Sequence, residues 1–451
     1  MKIVIAGIGK FGDYLTRQLA KENNEITVID TNFETKEALI NNEDINNIEG
    51  NALDVKILEE AGVQNSDLLI ASMKEDSENV MCALLSRKLG VKNTIARIRR
   101  PEYIDSLNMI KEPLGLSMII SPKQLTANQI AQTLSIPSAI ETTSFFKGRI
   151  YVISLKLKED SKYIGQSIKE ISQKLNGNII VCAIEREDSV VIPNGETIIQ
   201  AEDKIHITGT RKDINSFLRY GNLIQDKTRQ VMIVGGSDIS KYSANQLADT
   251  DMKVKIVEPN KEVALELAET LDNVLVINAD PSDEQTLFEE GIQETDAFVA
   301  LTGIDEENIV YSMFASSQKV PKVITKINHI NLSGITQMAK IDAVVSPHKI
   351  AANQVVQYVR AMEKGKSSSC ESIYNFGDNI FEMIEFKVKE DFKGINKKIE
   401  ELKLQDDTLI GAIQRGKNII YPQGKDEIKL NDTVLVICRN NKVKELNDMI
   451  K

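Results

Sequence analysis

Gly7, Gly9 and Gly12 in the run GIGKFG, followed by Asp30, are residues whose types and spacing suit one chemistry: holding the diphosphate and ribose of a nucleotide. The first glycine permits a tight turn, the second lets the backbone approach a diphosphate, and the third lets a helix pack on the preceding strand. Amides at the helix start then face the phosphates, and the carboxylate accepts hydrogen bonds from ribose hydroxyls. A carboxylate there also disfavours NADP, whose 2′-phosphate it would repel. These four residues need a strand before them, a helix after them and a second strand ending at the acid. The chain supplies all three: KIVIA at 2–6, a helical pattern from Lys10, and ITVID at 26–30.

Other reactive residues do not cluster. Cys82, Cys182, Cys370 and Cys438 are far apart with no CxxC pair, and His206, His329 and His348 are equally dispersed. That spacing supports neither a metal site nor a nucleophilic triad, and it fits reduced thiols in a cytosolic chain. At 451 residues and 42% hydrophobic content the chain can bury the cores of several domains. A net charge of −11 and 5% aromatic content without Trp argue against a nucleic-acid face, and Arg97, Arg99 and Arg100 are too few to reverse that. No apolar run approaches the roughly 18 to 20 residues of a membrane span, and the chain enters a strand with no signal-peptide layout. A cytoplasmic protein is expected.

Strand and helix alternate from the start. A helix over 34–41, a strand over 45–48 closing at Gly50-Asn51-Ala52, a helix over 55–61, a strand over 67–72, a helix over 78–89 and strands over 94–98 and 118–120 predict a doubly wound, Rossmann-like parallel sheet. Ser121-Pro122 then starts a capped helix running toward 133. The pattern changes after it. An alternating strand at 149–157, a helix at 168–175, strands at 178–185 and 190–192, a turn at Pro193-Asn194-Gly195 and a strand at 204–208 predict a small α+β domain with mostly antiparallel strands.

The second half repeats the first. Gly7 matches Gly235 and Asp30 matches Glu258, each 228 residues on; Asn79 matches Asn308 and Asp203 matches Asp432, each 229 on; Ser121-Pro122 matches Ser346-Pro347, 225 on. Near-constant offsets across both domain types mean duplication of a two-domain unit. Four domains are expected, at 1–135, 140–221, 229–360 and 371–451, with linkers at 222–229 and 363–371.

A GxGxxG sheet domain with a terminal acid, a GNA turn, an ARIRRPEY segment, a Ser-Pro helix and a small antiparallel domain, all duplicated, resembles the regulatory subunits of Trk potassium uptake systems, built from paired KTN/RCK units. The resemblance covers essentially the whole chain. It implies a non-enzymatic cytosolic ring, made from a dimer or tetramer of chains, beneath an integral-membrane potassium channel at the inner face of the cell membrane, with gating set by NAD(H), ADP or ATP. It places the ligand against Gly7, Ile8, Gly9, Lys10, Phe11 and Gly12, with Asp30 on the ribose, Asn51 and Ala52 near the adenine end, Ser72 and Met73 at the end of the fourth strand, and Arg97 on phosphate. Each lies at the carboxyl end of a strand, where doubly wound sheets bind ligands. Lys10 stands where many relatives carry Arg and cannot make a bidentate fork with phosphate. The other readings of Arg97 are a surface cation or an ion pair with Glu102; Arg99 and Arg100 are solvated or face the channel.

The second loop reads GGSDIS at 235–240, so Ser237 and Ser240 replace two glycines and Asp238 adds negative charge where a diphosphate would sit. Glu258 keeps the ribose position and Lys326 matches Arg97. This half is read as a weak, altered or lost nucleotide site that keeps the fold. Two further readings stand beside the regulator. An NAD-dependent oxidoreductase would share the opening motif, but it needs a proton donor or acceptor on a catalytic domain, which the small domains do not offer. The resemblance also allows cyclic di-AMP between two small domains, bordered by 179–184 and 413–415, against plain interface packing; no phosphate-binding signature is visible there.

Overall fold

The computed structural model describes residues 1–22, 24–33, 45–136, 138–186, 189–223, 228–248, 250–328, 341–365, 370–376, 380–439, 443 and 445–451; the helix expected over 34–41 and His329 lie outside them. The first six strands are β1 (Lys2–Ala6), β2 (Glu25–Asp30), β3 (Ile45–Glu49), β4 (Leu68–Ala71), β5 (Asn93–Arg97) and β6 (Met118–Ile120). They form one parallel sheet in the order β3-β2-β1-β4-β5-β6. Strand order reverses between β1 and β4, which opens a crevice at their carboxyl ends. All four residues of β4 and four of the five of β1 are buried, because crossover helices leave a parallel sheet no solvated face. Asp54 starts the helix Val55–Glu60 by accepting the Lys56 N–H, and Gly90, at φ 115°, ends the helix Asp76–Leu89.

The next five strands, β7 (Glu141–Phe145), β8 (Ile150–Lys156), β9 (Ile180–Arg186), β10 (Ser189–Val191) and β11 (Lys204–Gly209), form an antiparallel sheet ordered β10-β9-β11-β8-β7. Two of its elements are absent from the sequence-based expectation. Strand β7, ETTSF, carries too few apolar residues to show an alternation, and the helix Arg211–Tyr220 is signalled by little more than the buried Ile214, Phe217 and Leu218 and its Thr210 cap.

Both architectures recur. Strands β12 (Gln230–Val234), β13 (Lys253–Glu258), β14 (Val274–Asn278), β15 (Ala297–Ala300), β16 (Lys322–Lys326) and β17 (Ala343–Val345) repeat the parallel order as β14-β13-β12-β15-β16-β17. Strands β18 (Cys370–Phe376), β19 (Phe381–Lys387), β20 (Thr408–Arg415), β21 (Asn418–Ile420) and β22 (Thr433–Arg439) repeat the antiparallel one as β18-β19-β22-β20-β21. The duplication reaches single ion pairs. Arg186 grips Asp203 through two hydrogen bonds of 2.7 and 2.8 Å, and Arg415 grips Asp432 at 2.9 and 2.8 Å, each carboxylate being buried.

The chain divides into two compact units, Met1–Ala131 with Arg229–Val356 and Gln132–Thr228 with Gln357–Lys451. The first holds the two parallel-sheet N-domains and the second the two antiparallel C-domains. Within the first, the Tyr242 hydroxyl donates to Glu102 at 2.7 Å and Lys123 pairs with Asp238. Within the second, Phe145, Phe146 and Cys182 share one core with Phe381, Met383 and Leu435. Burial pushes the Cys82 thiol up to about 12, so this cysteine packs as an apolar group.

One buried cation makes stability depend on pH with a definite sign. Lys322 at the start of β16 is 3% exposed, and burial pushes its ammonium down to about 8 although Asp342 opposes the shift. Between that value and the ordinary 10.5 the unfolded chain binds the extra proton, so stability rises with pH. Thermal melting of the wild type relative to Lys322→Met is expected to rise across this window, by an equivalent of about 3 kcal/mol at its end. Parallel melting curves for the two proteins would refute it.

Candidate functional site

Three glycines at the crevice do three different things. Gly7 follows β1 at φ 91°, and a Cβ there would lie 2.7 Å from the Met73 nitrogen. At Gly12 a Cβ would come within 2.1 Å of the Gly7 carbonyl oxygen, so the helix Lys10–Ala20 sits against the loop only because this residue has no side chain. Gly9 has an ordinary φ of −70°, and a Cβ on it would meet nothing within 4 Å. Open space in front of the backbone is what an incoming diphosphate needs. Gly9 is also the N-cap of its helix and brings no side-chain acceptor, whereas Asp54, Ser167, Thr210, Asn260 and Asp283 each cap a helix with their side chains. No side chain at Gly9 therefore supplies an acceptor to the positive end of this helix.

Asp30 stands at the carboxyl end of β2, and its carboxylate accepts the Ile8 N–H at 2.6 Å and the Asn32 N–H at 3.1 Å. The residue assigned to the ribose therefore also braces the glycine loop. Ser72, buried at the end of β4, donates its hydroxyl to the Gly7 carbonyl at 2.6 Å. Ile8, Phe11 and Ala52 have buried side chains, so they offer a ligand backbone rather than side-chain groups, and the exposed Asn51 closes its turn by accepting the Leu53 N–H. Lys10 is exposed at the first position of its helix.

Arg97 ends β5 beside them. Its guanidinium carbon lies 5.4 Å from the Phe11 ring centre, and Nη1 makes a long hydrogen bond of 3.5 Å to the Ser72 carbonyl. Among the described residues its buried Nε has no hydrogen-bond partner. Burial and the charge of Arg99 push its pKa down to about 10 against the opposing Asp76, which leaves it a charged group at neutral pH with poor solvation. The ion pair with Glu102 does not form; Glu102 accepts from Tyr242 instead. A poorly solvated cation beside an uncapped helix start and an open glycine suits an anionic group, so the residues present fit a nucleotide.

Sequence reasoning used Asn79 only as a marker of the repeat. In the structure it is fully buried: Oδ1 accepts the Met73 N–H at 2.7 Å, while Nδ2 donates to the Met73 carbonyl at 3.1 Å and the Arg97 carbonyl at 2.9 Å. One amide thereby holds the ends of β4 and β5 in register under the site. An Asn in the first turn of the matching helix of both halves marks the repeat in the sequence, but not this contact.

The second copy keeps this frame and fills its own loop. Asn308 clamps Thr302 and Lys326 as Asn79 clamps Met73 and Arg97, and the Lys326 ammonium donates to the Thr302 carbonyl. Glu258 accepts the Gly236 N–H, as Asp30 does that of Ile8. The Ser237 hydroxyl, however, accepts the Ser240 N–H at 3.3 Å and caps the helix Asp238–Ala248. The Ser240 hydroxyl donates to the Gly235 carbonyl, taking the part played by Ser72 in the first copy, where the matching residue is now Leu301. The helix start that has no side-chain cap at Gly9 has one at Ser237.

Spacing left His206 isolated, and the fold does not. Its Nδ1 shares a hydrogen bond with the Ser154 hydroxyl at 2.8 Å, and its Nε2 bonds Glu185 at 2.7 Å. Burial opposes ionisation of Glu185, but the hydrogen bond from His206 and the charge of Lys204 outweigh it and hold the carboxyl below its usual range. Ser154 is 3% exposed and His206 fully buried, so this cross-strand row joins β8, β11 and β9 and presents no nucleophile. Elsewhere in the same unit a cavity of about 360 Å³ is lined by Lys147, Arg149, Glu385, Lys387 and Gln414 among others; Gln414 falls within 413–415.

Comparison with known proteins agrees with this layout. The TrkA-N domain model matches residues 3–122 and 231–347, and the TrkA-C domain model matches 152–220 and 383–451. The Trk system potassium uptake protein TrkA homolog of Archaeoglobus fulgidus is 29% identical over 451 residues, covering 100% of both chains. Homolog 1 of Methanosarcina mazei is 30% identical, again covering 100% of both. Among solved structures the GsuK channel superposes with a TM-score of 0.65 at 17% identity, over 98% of this chain and 77% of that one. The GsuK channel bound to NAD gives 0.64 at 17% identity, over 97% and 76%. With both domain models matched twice and full-length relatives, the chain belongs to the TrkA family, as a tandem of two TrkA-N and TrkA-C pairs.

Proposed function

We propose that this chain is a non-enzymatic, nucleotide-sensing regulatory subunit of a potassium uptake system. The observation that carries the reading is the first glycine loop: open space at Gly9, a helix start without a side-chain cap, and the poorly solvated Arg97 beside it. The ligand is NAD(H), ATP or ADP, held by the loop from Gly7 to Gly12 and by Arg97, with Asp30 on the ribose. The names of the full-length relatives support potassium uptake as the process, and NAD in the GsuK channel supports the ligand class. The partner is an integral-membrane potassium channel subunit, with two or four chains assembled against its cytosolic side. No helix of the described residues is long and apolar enough to cross a membrane, which leaves the ion path to that partner.

Regulation then requires only differential affinity. A nucleotide that binds one arrangement of the domains better than another shifts their populations, and one that binds both equally shifts nothing. Potassium flux through the reconstituted complex is expected to differ among ATP, ADP and NADH. Asp30→Ala should weaken nucleotide binding by about 1–3 kcal/mol and remove that difference. Equal flux with all three ligands would end the proposal.

A further inference from the structure

The turn between β7 and β8 is bent in a way that most residues avoid. Phe146, Lys147 and Gly148 follow one another at φ 52°, 56° and 83°, and only the third is a glycine. Left-handed backbone at a bulky residue is strained and persists only where its surroundings hold it. Here the second C-domain does so. Phe146 is 1% exposed in the core that the two C-domains share, and its N–H donates to Glu385 of β19 at 3.3 Å. Arg149 donates to the Gly416 carbonyl at 3.2 Å. This turn forms one wall of the cavity of about 360 Å³, and side chains of β19, β20 and β22 form the other.

The repeat shows what the second C-domain lacks on this wall. In the first C-domain Glu185 on β9 and Lys204 on β11 form an ion pair at 3.3 Å. Gln414, just before Arg415, replaces Glu185, and Thr433, just after Asp432, replaces Lys204. A carboxylate and a long ammonium side chain are gone, whereas Lys387 keeps the ladder position of Lys156. Three cations line the cavity against one carboxylate, Glu385, and among the described residues none of the three is ion-paired. Arg149 and Lys387 donate to carbonyls, the latter to that of Asn431 at 2.6 Å, and Lys147 makes no hydrogen bond. We infer that this cavity binds a small polyanion, a metabolite carrying two or more carboxylate or phosphate groups, which supplies the negative charge that Glu185 supplies in the first copy. Lys147 and Arg149 hold it from the first C-domain and Lys387 from the second, with Gln414 and Thr433 as neutral hydrogen-bonding groups. At about 30 Å³ for a water-sized group the space holds roughly a dozen of them, which suits a small metabolite and falls well short of a dinucleotide. The ligand neutralises cations from two domains and fastens the strained turn to β19. This site owes nothing to the glycine loop.

Calorimetry on the full chain with citrate, succinate and inorganic phosphate, in chloride buffer of matched ionic strength, tests this. At least one probe is expected to bind with a Kd at or below about 1 mM. Citrate ahead of phosphate marks a polycarboxylate ligand, and the reverse order a phosphorylated one. Lys147→Gln, at an exposed position, should weaken the bound probe about five- to tenfold. Gln414→Glu combined with Thr433→Lys rebuilds the first copy's ion pair inside the cavity. That variant should lose the probe altogether while its ligand-free melting stays near that of the wild type; if it does not fold, Lys147→Gln decides alone. Full affinity in Lys147→Gln or in the folded double variant, or no binding by any of the three probes, overturns the site.

Discussion

Replacing Gly9 by Ala is expected to cost the chain its nucleotide while leaving its melting temperature nearly unchanged. The backbone at Gly9 is ordinary for alanine and the new methyl group meets no protein atom within 4 Å. Alanine is a poorer N-cap than glycine by about 0.5–1 kcal/mol but restricts the unfolded chain by about as much, and these two effects offset one another. The methyl group would stand where a diphosphate approaches the backbone, so binding should fall about thirty- to hundredfold, or roughly 2–3 kcal/mol. Gly12→Ala provides the contrast: its Cβ would press within 2.1 Å of the Gly7 carbonyl, and both melting temperature and binding should drop. Calorimetry and thermal melting of the two variants separate the roles. Wild-type affinity in Gly9→Ala would mean that no ligand approaches there.

The largest stability loss is expected at Glu382→Ala. Glu382 in β19 accepts a 3.0 Å hydrogen bond from Arg360 of the helix Pro347–Gly365, and the two side chains are 0% and 4% exposed. Removing the carboxylate takes from the buried guanidinium its 3.0 Å charged partner, a change that typically costs about 3–5 kcal/mol. The double replacement Arg360→Met with Glu382→Leu should lose much less, because packed apolar side chains remove both desolvation penalties. Denaturant unfolding of both variants checks the ordering; a double variant as unstable as Glu382→Ala would contradict this account.

How far these features are legible in the sequence depends on whether the interaction is local. The parallel strands show as apolar runs, and the loop of Gly7, Gly9 and Gly12 shows through spacing, since a turn and a helix start are made by neighbouring residues. The duplication was readable for the same reason, residue against residue. Asn79 under the site, the row of Ser154, His206 and Glu185, and the buried pair of Arg360 and Glu382 join residues distant in sequence. No period or motif records such contacts. The strand Glu141–Phe145 escaped because ETTSF alternates weakly, and the helix Arg211–Tyr220 because a single apolar stripe over so few residues resembles a loop.

The hydroxyl that caps the first glycine's carbonyl comes from the end of β4 in one copy and from the helix in the other. This difference constrains the order in which one copy can be converted into the other. Placing Ser at Gly12 would crowd both the Gly7 carbonyl and the Ser72 hydroxyl, and removing Ser72 first would leave that carbonyl without its hydroxyl donor. In the second copy Ser240→Gly needs Leu301→Ser in the same step. Exchanging one copy's arrangement for the other's therefore takes at least two coupled changes, at Gly12 and Ser72 in the first copy and at Ser240 and Leu301 in the second.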